Sequence, residues 1–347
     1  MKSIVTSIIS VFLVFTFNLC HAADNVINVF TWSDEIPHSV ITQFEKETGI
    51  KVNYATFDSN EIMYAKLRAT KKVVYDLIEP SSYYIDRMRK LGMLENLDKT
   101  RLPNLKNIDP TFLNTNYDPD SAHSVPFVWG ITGIFLNKNY FSLKRTNNWN
   151  DLLDKQYVNQ LMFLDDPREV FSIALRMLGY SINDENPEHI KQAYLKIKSL
   201  MPNIKLFNSD AIISILIDED AAIGMAWNGD LFKAKLENPK LEFVYPNDGF
   251  EIWVDNFAIL KNSPHKDNAY LFLNYLMRAD VAATVSQAIH YSTTNLAAKN
   301  LLPIAVRNNP ALYPPSDILK KGEFQTDISD KTFASLERYW ERLKIGG

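Results

Sequence analysis

Along most of the chain, short apolar runs of strand type alternate with longer stretches whose apolar residues recur at helical spacing. Val26–Phe30 predicts a strand, and Pro37–Thr48 a helix that Gly49 ends from the C′ position. Ile50–Phe57 predicts a second strand, Ile62–Ala69 a helix, Tyr75–Ile78 a strand, and Tyr83–Leu91 a helix stopped at Gly92. Three strand–helix steps in succession make the first half of a doubly wound lobe.

Val125–Tyr140 breaks the pattern. Pro126, Gly130 and Gly133 punctuate an apolar run too long for one strand and too broken for a helix, which predicts a crossover between lobes. A second series follows, with strands at Leu161–Leu164, Ile204–Phe207, Ala222–Trp227 and Glu242–Tyr245. Its helices are expected at Glu169–Leu178, Pro187–Leu200, Ala211–Ile217 and Asp230–Leu236. Glu251–Leu260 is another long strand-like run; if it crosses back, the helices Asp267–Met277 and Val281–Ala288 return to the first lobe. The expectation is an α/β chain of two doubly wound lobes, residues 24–130 plus 254–299 and residues 131–253 plus 300–347, joined by crossover strands.

The N-terminus stands outside this alternation. Lys2, the apolar stretch Ile4–Leu19 and the small residues of Cys20-His21-Ala22-Ala23 before Asp24 predict an export signal over residues 1–22. Thr6, Ser7, Ser10, Thr16 and Asn18 interrupt the run, which falls short of the ~20 apolar residues that a membrane span needs. Acylation of Cys20 is the other reading, against which stands the bulky Leu19.

Composition narrows the function. With 46% apolar and 22% charged residues among 347, the chain supports packed cores. Its one cysteine allows no intrachain disulfide and no Cys-based metal site. The net charge of −4, with Lys and Arg dispersed, argues against a nucleic-acid partner. Glycine is scarce, 11 in all, and no G-x-G-x-x-G, G-x-x-x-x-G-K-[ST], H-E-x-x-H or G-x-S-x-G occurs. The histidines never fall at i, i+4 spacing.

What remains is a set of carboxylates beside aromatic residues. Asp166, Pro167 and Glu169 fit a helix cap as well as a site. Trp253 and Asp255 alternate in a strand and share a face, where Trp serves either the core or a ligand platform. In Trp227-Asn228-Gly229-Asp230 the acid is a second cap or a second site residue. Tyr83-Tyr84 at a helix start reads as one core and one surface residue, with a tyrosine-liganded ferric site as the other reading.

Taken with Thr31-Trp32-Ser33-Asp34, FEKETG (44–49), NEIMYAKL (60–67), PSSYY (80–84), DDPREVF (165–171), FNSD (207–210), AWNG (226–229), Tyr291–Asn295 and Gln325, these segments resemble the periplasmic spermidine/putrescine-binding proteins of polyamine ABC transporters. The likeness runs from about Asn25 to the C-terminal helix. It implies a two-lobed periplasmic binding protein, type II-like, that is a monomer without catalysis or cofactor. Such a protein captures a polyamine between its lobes and delivers it to an inner-membrane ABC permease. By the same resemblance Trp32, Tyr83, Trp227, Trp253 and Tyr291 form an aromatic box, and Asp34, Asp166, Glu169 and Asp255 meet the ligand's ammonium groups. Ser33, Ser82, Ser209 and Gln325 line the slot.

Two positions depart from the spermidine-binding pattern. Glu35 stands where a box tyrosine is usual, and Asp230 is the residue of putrescine-preferring relatives, so the choice between spermidine and putrescine stays open. The residue types suit a polyamine: carboxylates pair with ammonium groups, and aromatic faces cover methylenes while adding cation–π attraction of about 0.5–2 kcal/mol each. The competing expectations are a ferric or anion-binding protein and a secreted glycoside hydrolase, which also sets paired acids beside Trp.

Overall fold

The computed structural model describes residues 25–70 and 72–346; the expected export signal, with Cys20, lies outside the described residues. In chain order, the strands are β1 (Val26–Trp32), β2 (Lys51–Phe57), β3 (Leu77–Ile78), β4 (Val125–Asn137), β5 (Leu161–Phe163), β6 (Ile204–Phe207), β7 (Ile223–Trp227), β8 (Leu241–Val244), β9 (Phe250–Ile259), β10 (Ser292–Thr293) and β11 (Gly322–Phe324). The longer helices are α1 (His38–Thr48), α2 (Asn60–Ala69), α3 (Ser82–Lys90), α4 (Pro167–Met177), α5 (Pro187–Leu200), α6 (Ile212–Ile217), α7 (Asn228–Glu237), α8 (Lys266–Leu276) and α9 (Ala279–Ile289). Three one-turn helices follow, α10 (Leu296–Lys299), α11 (Ile304–Arg307) and α12 (Ser316–Leu319), before the C-terminal α13 (Asp330–Lys344).

Strand order runs β2-β1-β3-β9-β4-β7-β5-β6. β1 pairs in parallel with β2 and β3, and β5 in parallel with β6 and β7. Between these parallel sets run β4 and β9, antiparallel to each other and shared by both halves. The far end of β9 pairs with β3 through Ala258 and Ile259, while the far end of β4 pairs with β7 through Thr132–Leu136. They are the crossover strands.

β4 corrects one expectation: residues 125–137 form a single strand, buried along its whole length. Pro126 sits where the pairing with β9 shifts register, so its missing N–H costs no ladder bond. Gly130 does not break the strand. It makes room for the Trp253 ring, which would lie 2.1 Å from a Cβ there.

Alternation along the strands builds the first lobe's two faces. Val29, Leu77 and Ile259 join α1, α8 and α9 around Phe44 and Phe272, whereas Phe30, Ile78 and Ala258 face Met63 of α2 and Ile85 of α3. α8 and α9 thus share one core with α1 and β1. The second lobe has its own core around Trp149, Phe163, Phe171 and Leu216, closed by Leu336 and Trp340 of α13. Residues 98–124, unassigned in the sequence reading, are mostly 3₁₀ turns, because Pro103, Pro110 and Pro119 each start one.

Candidate functional site

Open α/β sheets place ligands at the carboxyl ends of their parallel strands, and there the two lobes face each other. From the first lobe, β1 ends at Trp32 and the chain turns through Asp34 at φ 59°, a conformation Asp tolerates. Glu35 follows. β3 continues into Glu79, Pro80 and Ser81, and α3 then begins at Ser82. From the second lobe, β5 leads to Asp166 at the head of α4, and β7 to Trp227 at the head of α7. The crossover strand β9 contributes Glu251, Trp253 and Asp255.

Each acid has a distinct setting. Asp255 is buried and accepts a hydrogen bond from the Ser81 hydroxyl at 2.6 Å, while Asn60 donates to that same Ser81 oxygen at 3.0 Å and to the Tyr83 hydroxyl at 3.1 Å. Burial pushes the Asp255 carboxyl up to about 7. Glu35 is pushed up to about 8, by desolvation first and by the neighbouring Asp255 charge second. Glu79 is wholly buried; its Oε2 accepts from the Thr31 hydroxyl, its Oε1 has no partner, and desolvation holds it well above the usual carboxylate range.

On the opposite lobe, Asp166 caps α4 by accepting the Glu169 N–H at 3.0 Å. Glu169 does not return a bond to the cap. Its Oε1 accepts from the Trp227 indole at 3.0 Å, and its Oε2 lies buried without a partner. Asp166 is thus a cap whose carboxyl is also taken out of water. Desolvation raises both carboxyls, Glu169 well above its ordinary range. Glu251 is pushed up to about 7 by burial, opposed by the Arg168 guanidinium beside it.

Asp230 lies in the first turn of α7, and its side chain does not cap the helix: it accepts from the Tyr291 hydroxyl at 2.7 Å. Tyr291 also meets Trp253, ring centroids 5.2 Å apart at 72°, so the two form an edge-to-face corner. Tyr84 is buried in the core as expected, but Tyr83 is not a surface residue: it is half-buried, its ring against Tyr84 with centroids 4.9 Å apart.

The polar lining positions behave differently. The Ser82 hydroxyl donates to the Gln325 carbonyl at 2.9 Å, Ser209 accepts the Asp165 N–H at 2.9 Å, and exposed Ser33 turns to Asp58. Gln325 is buried, whereas Asp34 is exposed beside Ser33. Sequence reasoning passed over Glu79, Glu251, Ser81, Arg168 and Lys233. Two of them carried a signal: Glu79 directly follows a buried strand, and Glu251 interrupts an apolar run, and acids are rarely buried without a partner. Arg168 beside Glu251 and Lys233 near Glu35 bring positive charge to a set of residues whose expected members held none.

Compared with known proteins, residues 39–314 match the model of a bacterial extracellular solute-binding protein family. The chain belongs to that family. This binding protein is 44% identical to the spermidine/putrescine-binding periplasmic protein of Salmonella typhimurium, over 94% of each chain. Its identity to the Escherichia coli protein of the same name is 42%, again over 94% of each. A solved structure described as a putative spermidine/putrescine ABC transporter from Listeria monocytogenes superposes with a TM-score of 0.87 at 35% identity, covering 93% of this binding protein and 100% of that chain.

Proposed function

We propose that this is the periplasmic polyamine-binding component of an ABC importer, capturing spermidine or putrescine between its lobes and delivering it to the membrane permease. The observation that carries this reading is a concentration of carboxyls near the strand ends of both lobes, Glu35 beside Asp255, Glu79 and Asp230, and Glu169 beside Asp166 and Glu251. Burial holds every one of them above its ordinary pKa, and Trp and Tyr faces are interleaved among them. Such groups are costly as ions until cations arrive. A flexible chain of ammonium groups spaced by methylenes matches both the acids and the aromatic walls.

The ligand contacts are assigned to Trp32, Tyr83, Trp227, Trp253 and Tyr291 for the methylenes and to Asp34, Asp166, Glu169 and Asp255 for the ammonium groups, with Asp230 lining the corner beside Tyr291. Ser33, Ser82, Ser209 and Gln325 support them from the lining. The lobes are assigned as residues 24–130 plus 254–299 and residues 131–253 plus 300–347. Val306 and Tyr313 pack on the α9–α10 cluster, so the chain just after Asn300 bridges the two. Ligand touching both lobes favours the closed form, the form that the permease reads.

The rival chemistries fit less well. The Tyr83 hydroxyl is held by Asn60 at 3.1 Å and the Tyr291 hydroxyl donates to Asp230 at 2.7 Å, so the two phenols are engaged with different partners and not with one metal point. So many acids repel an anion. Several carboxyls around a slot also differ from the single flanking pair of glycoside hydrolysis. We therefore assign binding without turnover.

Calorimetry of the mature protein with putrescine, spermidine and spermine tests the reading. The expected dissociation constant is on the order of micromolar or below, about −8 kcal/mol, with ligand recovered unchanged. No heat and no thermal shift with any of the three would overturn it.

A further inference from the structure

We infer that Lys233 is a specificity-determining residue of the cleft, its ammonium a resident cation occupying the Asp230–Tyr291 corner that an additional ligand ammonium would otherwise fill. This rests on the polyamine reading above. Lys233 lies one turn beyond Asp230 on α7, and its Nζ is 3.9 Å from Asp230 Oδ1. The same Nζ stands over the Tyr291 ring, 5.2 Å from its centroid. Tyr291 in turn donates its hydroxyl to that Asp230 oxygen at 2.7 Å and closes on Trp253. A carboxylate below and an aromatic face beside an ammonium is the arrangement this cleft offers to a ligand. Here the chain supplies the ammonium itself.

The corner is built rather than incidental. Gly229, between Trp227 and Asp230, lets the Tyr291 ring lie against the start of α7, since a Cβ there would stand 2.2 Å from ring atoms. The Lys233 and Asp230 side chains are 28% and 13% exposed, so the pair sits at the edge of the slot and not in open solvent. Glu35, from the first lobe, feels the Lys233 charge as well, which opposes the rise that burial and Asp255 impose on it.

Charge balance gives the consequence. With Lys233 satisfying Asp230, the cleft needs one ligand charge fewer, and the slot is shorter by one ammonium site. A diamine gains relative to a triamine, whose third ammonium meets a like charge. Removing the lysine charge while keeping its aliphatic bulk shifts the balance toward the triamine.

The test titrates the full mature protein and its Lys233→Met variant with putrescine and with spermidine at one ionic strength, by calorimetry. Lys233→Gln serves if the Met variant does not fold. Loss of the ammonium is expected to shift the affinity ratio toward spermidine by at least fivefold, and Lys233→Arg, which keeps a cation, to retain the wild-type ratio. A shift below fivefold, a shift toward putrescine, or an Arg variant that follows the Met variant overturns the inference while leaving polyamine binding intact. If the unaltered protein binds neither amine, the polyamine reading itself fails and takes this inference with it.

Discussion

Asp255→Asn isolates one cleft carboxylate with almost no change of shape. The acid is buried, its pKa pushed up to about 7 from an ordinary 3.8, and it accepts from the Ser81 hydroxyl at 2.6 Å, which an Asn oxygen can also do. That elevation corresponds to about 4 kcal/mol against ionising Asp255 in the empty protein. The folded state keeps the proton up to about pH 7 while the unfolded chain releases it near 3.8. This group therefore lowers stability progressively from about pH 4 to pH 7 and by its full amount above that. Asn removes the penalty, so the empty variant is expected to melt several degrees higher than wild type at pH 8 and nearly alike at pH 4. Ligand binding moves the opposite way. A hydrogen bond to a charged group contributes about 1.5–3 kcal/mol, so affinity should fall about 10- to 100-fold. Calorimetry with spermidine and putrescine, together with melting of the empty protein at both pH values, reads both effects. An affinity unchanged within threefold would remove Asp255 from the ligand's contacts, and a lower melting temperature at pH 8 would refute the burial argument.

Two further outcomes follow from the same cleft. Glu35, Glu251 and Asp255 hold protons near neutrality at about 8, 7 and 7, and bound ammonium groups favour their ionised forms, so binding at pH 7 should release protons and weaken as pH falls toward 5.5. Titrations in two buffers of different ionisation enthalpy measure this, and equal heats would contradict it. Gly229→Ala forces a methyl into the Tyr291 ring, at 2.2 Å, and should cost about 1–3 kcal/mol of stability and displace the Tyr291–Trp253 corner. Unaltered melting and affinity in that variant would show that the corner yields freely.

Most elements were legible because hydrophobic period and punctuation are local. Gly49 ends α1 in the left-handed conformation at φ 73°, and the alternation of Val29 and Phe30 already assigns the two faces of a covered sheet. β4 is a crossover as its sequence implies but one unbroken strand, because the proline and glycines that look like breaks in one dimension have places in three: Pro126 occupies a register shift and Gly130 receives a tryptophan from β9. The candidate site divides in the same way. Asp166 could be recognised as a cap, yet nothing local tells that Glu169 turns from the cap to Trp227.

The sequence by itself determined the α/β alternation, the carboxylates next to aromatic residues and, through its resemblance to polyamine-binding proteins, where to look for a slot. Tertiary structure decided which of those acids lose water and which find a partner, because burial and pairing depend on neighbours far apart in the chain. Asp255 meets Ser81 across 174 positions, and Asp230 meets Tyr291 across 61. Only that assembly buries Glu79 beside Glu35 and Asp255 and sets Lys233 against Asp230 and Tyr291, so the surplus of buried carboxyls exists in the fold and not in the sequence.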